Sequence, residues 1–193
     1  MRDQDAPRAR RVPVVAEEPL IGSDRYDYAD AFEIRVREPD ARSAEQFARC
    51  ALERAPWPVR WTIWIAHRHL LRVRLGPRTS PDHISGWKIL TSKPDVIQLE
   101  AVSPLLGRGV IVGRRVDPTC TTITTYVFHT RPALARVAWK IAGPLHRRIA
   151  PYLLEHAATT ENQAPAVPLR PARAPMRRPP ASSPPRRMDR GSA

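Results

Sequence analysis

The chain has 193 residues, a formal net charge of +13 and 42% hydrophobic residues, which is enough for one ordinary domain with its own core. It contains no run of about 18 apolar residues, so the sequence predicts no membrane span. Its two cysteines, Cys50 and Cys120, exclude a disulfide scaffold and suit a reduced cytoplasm, and we expect a cytoplasmic protein.

The charge and the prolines are uneven. Residues 158–193 hold eight of the 22 prolines and seven arginines against two acids, Glu161 and Asp189, a composition that cannot bury enough apolar surface to fold. Residues 1–22 balance four arginines with four acids and show no periodicity. The sequence therefore divides into a mobile arm (1–22), a domain (23–157) and a disordered Pro/Arg-rich tail (158–193). The arm has arginines but no apolar h-region, so it is not a secretory signal. Basic residues are 29 arginines against 3 lysines. That skew fits a GC-rich coding sequence better than a nucleic-acid surface, and no aromatic residues interleave with the tail's arginines to stack on bases.

Asp27 to Glu38 alternates, with Phe32, Ile34 and Val36 on one side and Glu33, Arg35 and Arg37 on the other, the pattern of a half-buried strand. Ser43 and Gln46 form a capping box ahead of a short helix to Ala55, on which Phe47, Cys50 and Ala51 share a face. Pro56-Trp57-Pro58 stops it. Arg60 to Leu75 reads as a second helix, with Trp61, Trp64, Ile65, Arg68, Leu71 and Leu75 on one stripe, closed by Gly76-Pro77. The period then becomes two. His83–Leu90, Val96–Val102, Gly109–Arg115 and Thr121–His129 read as four strands joined by short turns at residues 92–95, 105–108 and 117–119, which is an antiparallel meander. In the last strand the pattern leaves open which face is inside.

Pro132 to Ala157 has helical spacing, with Leu134, Val137, Ala138, Ile141, Ala142, Leu145, Ile149, Tyr152 and Leu153 making one broad apolar face. Thr130 is the expected N-cap, and Gly143-Pro144 is expected to kink the helix. The order strand, helix, helix, strands, helix predicts an α+β fold: a curved antiparallel sheet wrapped around a long C-terminal helix. Such an arrangement leaves a cavity between sheet and helix where a ligand can sit.

Few residues carry chemistry. Arg68 falls on the second helix's apolar stripe, and a buried guanidinium must be paired. It would hold a ligand's carboxylate or phosphate against Trp61 and Trp64, or else form an internal ion pair with Glu33, Asp30 or Glu100, or snorkel to solvent at the helix edge. His146 lies at the border of the last helix's apolar face and could donate to a ligand or act as a general base, the one weak catalytic candidate, or else pack half-exposed on the sheet edge or against a backbone carbonyl, since no acid sits four residues away. The tryptophans, Trp87 among them, with Tyr126, Phe128 and Leu145 could line the pocket with these residues, or serve as plain core. His67 and His69 are two apart on a helix and cannot share a metal. Neither a metal nor a cofactor is implied, and no nucleophile motif, phosphate loop or paired carboxylate is present.

Three patches carry a family resemblance: Asp27-Tyr28-Ala29-Asp30-Ala31-Phe32; Gly86-Trp87-Lys88-Ile89-Leu90 with Val112-Gly113-Arg114-Arg115; and Gly143-Pro144-Leu145-His146-Arg147-Arg148 leading to Tyr152-Leu153-Leu154. With the element order, residues 25–157 resemble the START-like superfamily, also called SRPBCC or helix-grip, and within it an uncharacterised actinobacterial family. The resemblance implies a pocket for lipids, polyketides or other apolar molecules. Some members of the superfamily are cyclases, aromatases or hydratases, and others are carriers or receptors. No catalytic residues transfer from it, and the absence of an acid–base constellation favours binding of an apolar or amphipathic small molecule without catalysis. Two alternatives stand beside this: a cyclase- or hydratase-type enzyme using the same cavity, and a basic adaptor whose tail binds anionic polymers or a peripheral anionic lipid surface.

Overall fold

Short reversals build the sheet. In the computed structural model, which describes residues 6–15, 18–22 and 25–160, β3 (His83–Ile84), β4 (Trp87–Ser92), β5 (Val96–Ser103), β6 (Gly107–Asp117) and β7 (Cys120–Phe128) pair antiparallel in chain order, as the meander predicts. The single strand expected over His83–Leu90 is a hairpin. Ser85 and Gly86 both take positive φ, 49° and 88°, the two-residue turn whose twist matches that of the flanking strands.

β2 (Tyr28–Arg35) pairs antiparallel with β7 along its whole length, and β1 (Arg10–Val12) pairs with β2. The curved sheet thus has seven strands in the order β1-β2-β7-β6-β5-β4-β3. β1 corrects the expectation that residues 1–22 are mobile throughout. Its three residues satisfy their backbone against the otherwise open edge of β2. Further on, Glu18 is buried and accepts a charge-assisted bond from Arg114 at 2.5 Å, while the Gln98 amide donates to the Leu20 carbonyl at 2.9 Å. Neither anchor has a periodic signal in sequence. The Pro/Arg-rich tail lies outside the described residues from position 161 onward.

α1 (Ala44–Glu53) starts at the expected capping box: Ser43 Oγ accepts from Gln46 N, and Gln46 Oε1 accepts from Ser43 N. α2 (Trp57–Ile65) continues into a π-helical turn (Ala66–Leu70), in which the Leu71 N–H reaches five residues back to the Ala66 carbonyl at 2.8 Å. α3 (Pro132–Thr159) is continuous through Pro144 and Pro151. It begins after Arg131 rather than Thr130, with no side-chain cap, because Pro132 at the first helical position needs no partner for an N–H it lacks. No helix among the described residues is long and apolar enough to cross a membrane.

All three helices lie on one side of the sheet. Toward one end, Phe32 and Ile34 of β2 pack with Phe47, Cys50 and Ala51 of α1 and with Leu153, Leu154 and Ala157 of α3. This end is closed by a buried charge cluster. Asp40 pairs with Arg42 at 2.6 Å and Arg115 at 3.3 Å, and both guanidiniums stack over Phe47, at 5.1 and 5.6 Å from its centroid. Arg42 also donates to the Ala157 carbonyl near the end of α3. The opposite face of the sheet is covered by the N-terminal segment, with Ile21 packing among Val96, Val110, Val112 and Tyr126.

Candidate functional site

The cavity follows from missing side chains. On β6 the residues lining the cavity are Gly107, Gly109, Ile111 and Gly113, so three of these four contribute no side chain. A Cβ at Gly109 would stand 3.2 Å from the Trp87 ring, and one at Gly113 would stand 3.0 Å from Ile97. The glycines let these neighbours lean in while leaving a void above the middle of the sheet. That void is ≈160 Å³, comparable to the cavity of about 150 Å³ that stays dry and accepts benzene in an apolar core. Its walls come from β4–β7, α1, α2, the π-helical turn and α3. Among the described residues they contain no Lys, Arg, Asp or Glu. The polar side chains are His67, His146, Ser103 and Thr125, with the Trp139 indole beside them.

These groups are not equivalent. Ser103 Oγ is consumed by the fold, donating to the Leu71 carbonyl and accepting from the Leu105 and Leu106 N–H groups. His67 packs edge-on to Trp87, with ring centroids 5.6 Å apart, and its imidazole makes no hydrogen bond among the described residues. Burial in this apolar wall, and secondarily the proximity of His146, push its pKa from 6.5 to about 4, so it is neutral at physiological pH. His146 lies 3.1 Å, through Nε2, from Oδ1 of Asp30, whose side chain is fully buried. The other carboxylate oxygen accepts from the Tyr28 hydroxyl at 2.8 Å. Burial first, and then its hydrogen bond to Asp30 and the charge there, raise the Tyr28 pKa and keep the phenol a donor. Trp139 stacks obliquely on Tyr28 and lies 5.5 Å from the His146 ring. Its buried indole N–H has no hydrogen-bond partner among the described residues.

Of the residues singled out in sequence, Trp87, Leu145 and His146 line the cavity. Trp61, Trp64, Arg68, Tyr126 and Phe128 do not. The correction at α2 has a plain cause, because that helix is apolar nearly all round. A second stripe, Val59, Ile63, Ala66 and His67, has the same spacing and smaller side chains. It is the one that turns inward, with Ile63, Ala66 and His67 on the cavity. The tryptophans stack on one another outside, Trp61 on Trp64 at 5.0 Å, and Trp61 is 51% exposed. Arg68 is exposed on the π-helical turn and needs no buried counter-ion. Trp64 instead borders a second pocket of ≈160 Å³ that includes Arg60 and Arg78 and shares Leu52, Ile63 and His67 with the first.

Strand parity corrects the other two. Ile123, Thr125 and Val127 of β7 face the cavity, which sends Tyr126 and Phe128 to the face covered by the N-terminal segment. On α3 the broad apolar face is only partly used: Ala142 and Leu153 are buried, together with Ala135 and Leu154 outside that face, whereas Leu134, Val137 and Ile141 are 50–61% exposed.

Sequence reasoning gave Tyr28, Asp30 and His67 no role at the cavity, naming Asp30 only as a possible partner of Arg68 and His67 only to exclude a metal, while Trp139 was among the tryptophans expected to line the pocket or the core. The alternation of β2, carried two and four residues back from Phe32, places Asp30 and Tyr28 on the buried face. That signal was available. The partner of Asp30 was not, since His146 is 116 residues away in the chain. Among the described residues no group of three or more His, Cys, Asp or Glu could hold a metal ion.

No family model matches the chain, and no curated protein matches it. Among solved structures, CalU16 from Micromonospora echinospora is similar at 14% sequence identity and a TM-score of 0.29, over 78% of this chain and 89% of that one. A score that low carries no argument about fold or function. A sheet closed by a C-terminal helix is compatible with a helix-grip fold, and the meaning of the cavity has to come from its own walls.

Proposed function

We propose that this chain is a START-like, helix-grip protein that binds an apolar or amphipathic small molecule in the cavity between sheet and α3. The observation that carries the reading is the cavity itself. A cavity of ≈160 Å³ has room for a small apolar molecule, and Gly107, Gly109 and Gly113 of β6 add no side chain to its lining. The lining is the usual one for a small-molecule site, mostly apolar with a few placed polar groups. With no Lys or Arg in the wall, the part of the ligand inside the cavity is neutral. A charged end, if the ligand has one, belongs outside, toward Arg60 and Arg78 in the adjoining pocket.

Native mass spectrometry of the full-length protein, followed by extraction of co-purifying compounds, tests this. The expected result is a stoichiometric apolar or amphipathic adduct, or a thermal shift with members of a panel of fatty acids and polyketide analogues. A clean apo mass with no shift across the panel would refute the binding reading.

A further inference from the structure

The cavity holds two histidines in unlike settings, and simple binding uses neither. His146 is tied to a buried carboxylate, whereas the ring nitrogens of His67 have no partner among the described residues. We infer that Asp30, His146 and His67 form a proton-transfer site, acting on the carbon beside the carbonyl of a small apolar ketone held in the cavity. This inference rests on the binding reading above.

Asp30 accepts from Tyr28 at 2.8 Å and from His146 Nε2 at 3.1 Å, so its two oxygens each have a donor. Holding the proton on Nε2 leaves the lone pair on Nδ1, which makes that atom the base. Asp30 and Tyr28 do not line the cavity. They are positioning residues that fix the tautomer and ring orientation of His146 from behind. His67, kept neutral by its apolar surroundings, presents an N–H that can bond a developing oxyanion. The absence of any Lys, Arg, Asp or Glu in the wall selects a neutral carbonyl compound over a carboxylate or an amine.

The step balances without a co-reactant. The C–H bond α to the carbonyl breaks, and its proton passes to His146 Nδ1. The electron pair moves into the new C=C bond and onto the carbonyl oxygen, giving an enolate that accepts the His67 N–H. Return of the proton to the same carbon gives exchange with solvent, and its return to a conjugated carbon gives isomerisation. The reaction class is therefore enolisation and isomerisation of an apolar ketone.

The probe is cyclohexanone, with seven heavy atoms against benzene's six. Hydrogen–deuterium exchange at its C2 is followed by proton NMR in heavy water with the full-length protein, and binding is measured in parallel by ligand-observed NMR. Wild type is expected to exchange bound cyclohexanone about 100-fold or more above buffer. His146→Gln is expected to remove most of that acceleration with the dissociation constant changed less than about threefold. Asp30→Asn is expected to lower exchange while leaving affinity intact.

A second measurement needs no variant. The nitrogen-15 spectrum of neutral His146 in wild type is expected to show Nε2 protonated and Nδ1 as the acceptor, with the Nε2-protonated share falling in Asp30→Asn. A protonated Nδ1 in wild type overturns the proposal, because that atom could not act as base. Cyclohexanone that binds but exchanges at the buffer rate overturns the proton-transfer site alone. Failure of cyclohexanone to bind overturns both this site and the binding reading for small ketones.

Discussion

Filling the cavity should stabilise the protein and abolish its binding. Ala142 lies on α3 at the cavity wall and is 5% exposed, and Leu is nearly as good a helix former as Ala. Ala142→Leu adds three carbon atoms to a space that matches one holding a six-carbon ring, so they fit without displacing the wall. Three buried carbons are worth about 2.4 kcal/mol at about 0.8 each. Ordering the leucine side chain costs about 0.5–1 kcal/mol, which leaves a net gain of about 1.5–2 kcal/mol. For a chain of this length that is a rise in melting temperature of about 3–8 °C. The gain stays below the roughly 4 kcal/mol that about 24 cal/mol per Å³ assigns to the whole void of ≈160 Å³. The assay is thermal unfolding of wild type, Ala142→Leu and the exposed control Ala133→Leu, with any co-purifying adduct weighed by native mass spectrometry. The control should stay within about 0.5 kcal/mol of wild type. If Ala142→Leu loses about 1–3 kcal/mol, as overpacking of a full core does, the cavity is not open and the binding reading falls with it.

Two further outcomes follow from buried charge. Asp40→Ala strips the shared counter-ion from two largely buried guanidiniums, Arg42 and Arg115, and should cost about 3–5 kcal/mol at neutral pH in urea unfolding. Burial alone would raise the Asp40 pKa, but the hydrogen bonds and charge of Arg42, with the charge of Arg115, hold it below 3.8. Its contribution is therefore present above about pH 3.8 and vanishes as pH falls through the lower folded value, so wild type and variant should converge in acid. A loss below about 1 kcal/mol at neutral pH would show that water screens the cluster. The histidine case has the same sign by a different route. The folded His67 pKa is depressed from 6.5 to about 4, so the unfolded chain binds more protons in that window, and stability falls as pH drops from 6.5 toward 4 by about 3 kcal/mol. His67→Phe should lose that component of the acid slope, and parallel pH–stability curves would refute the burial argument.

Local rules decided much of this fold. The capping box at Ser43 and Gln46, the alternation in β2 and in the meander, the turn residues between strands and the long apolar period after Pro132 act over a few residues. Each was legible without knowing its neighbours, and their order alone predicts an antiparallel sheet closed by a C-terminal helix. The site was legible only in part. Trp87, Leu145 and His146 sit on faces whose direction the period fixes, and the structure places them on the cavity. Trp61, Trp64 and Arg68 were misplaced because α2 offers two apolar stripes of equal spacing. The choice between them depends on which one fits against α1 and α3. Tyr126 and Phe128 were misplaced because β7 is apolar on both faces, and its parity is set by a cover that includes the N-terminal segment, whose sequence shows no pattern.

What the sequence by itself determined is the kind and order of the elements, since helix and strand periods, caps and turns are properties of neighbouring residues. What only the tertiary structure decided is where space and charge meet. The void over Gly109 and Gly113 exists because of what faces those glycines across the core. The pairing of Asp30 with His146 joins residues 116 positions apart, which share a hydrogen bond only because α3 packs across β2.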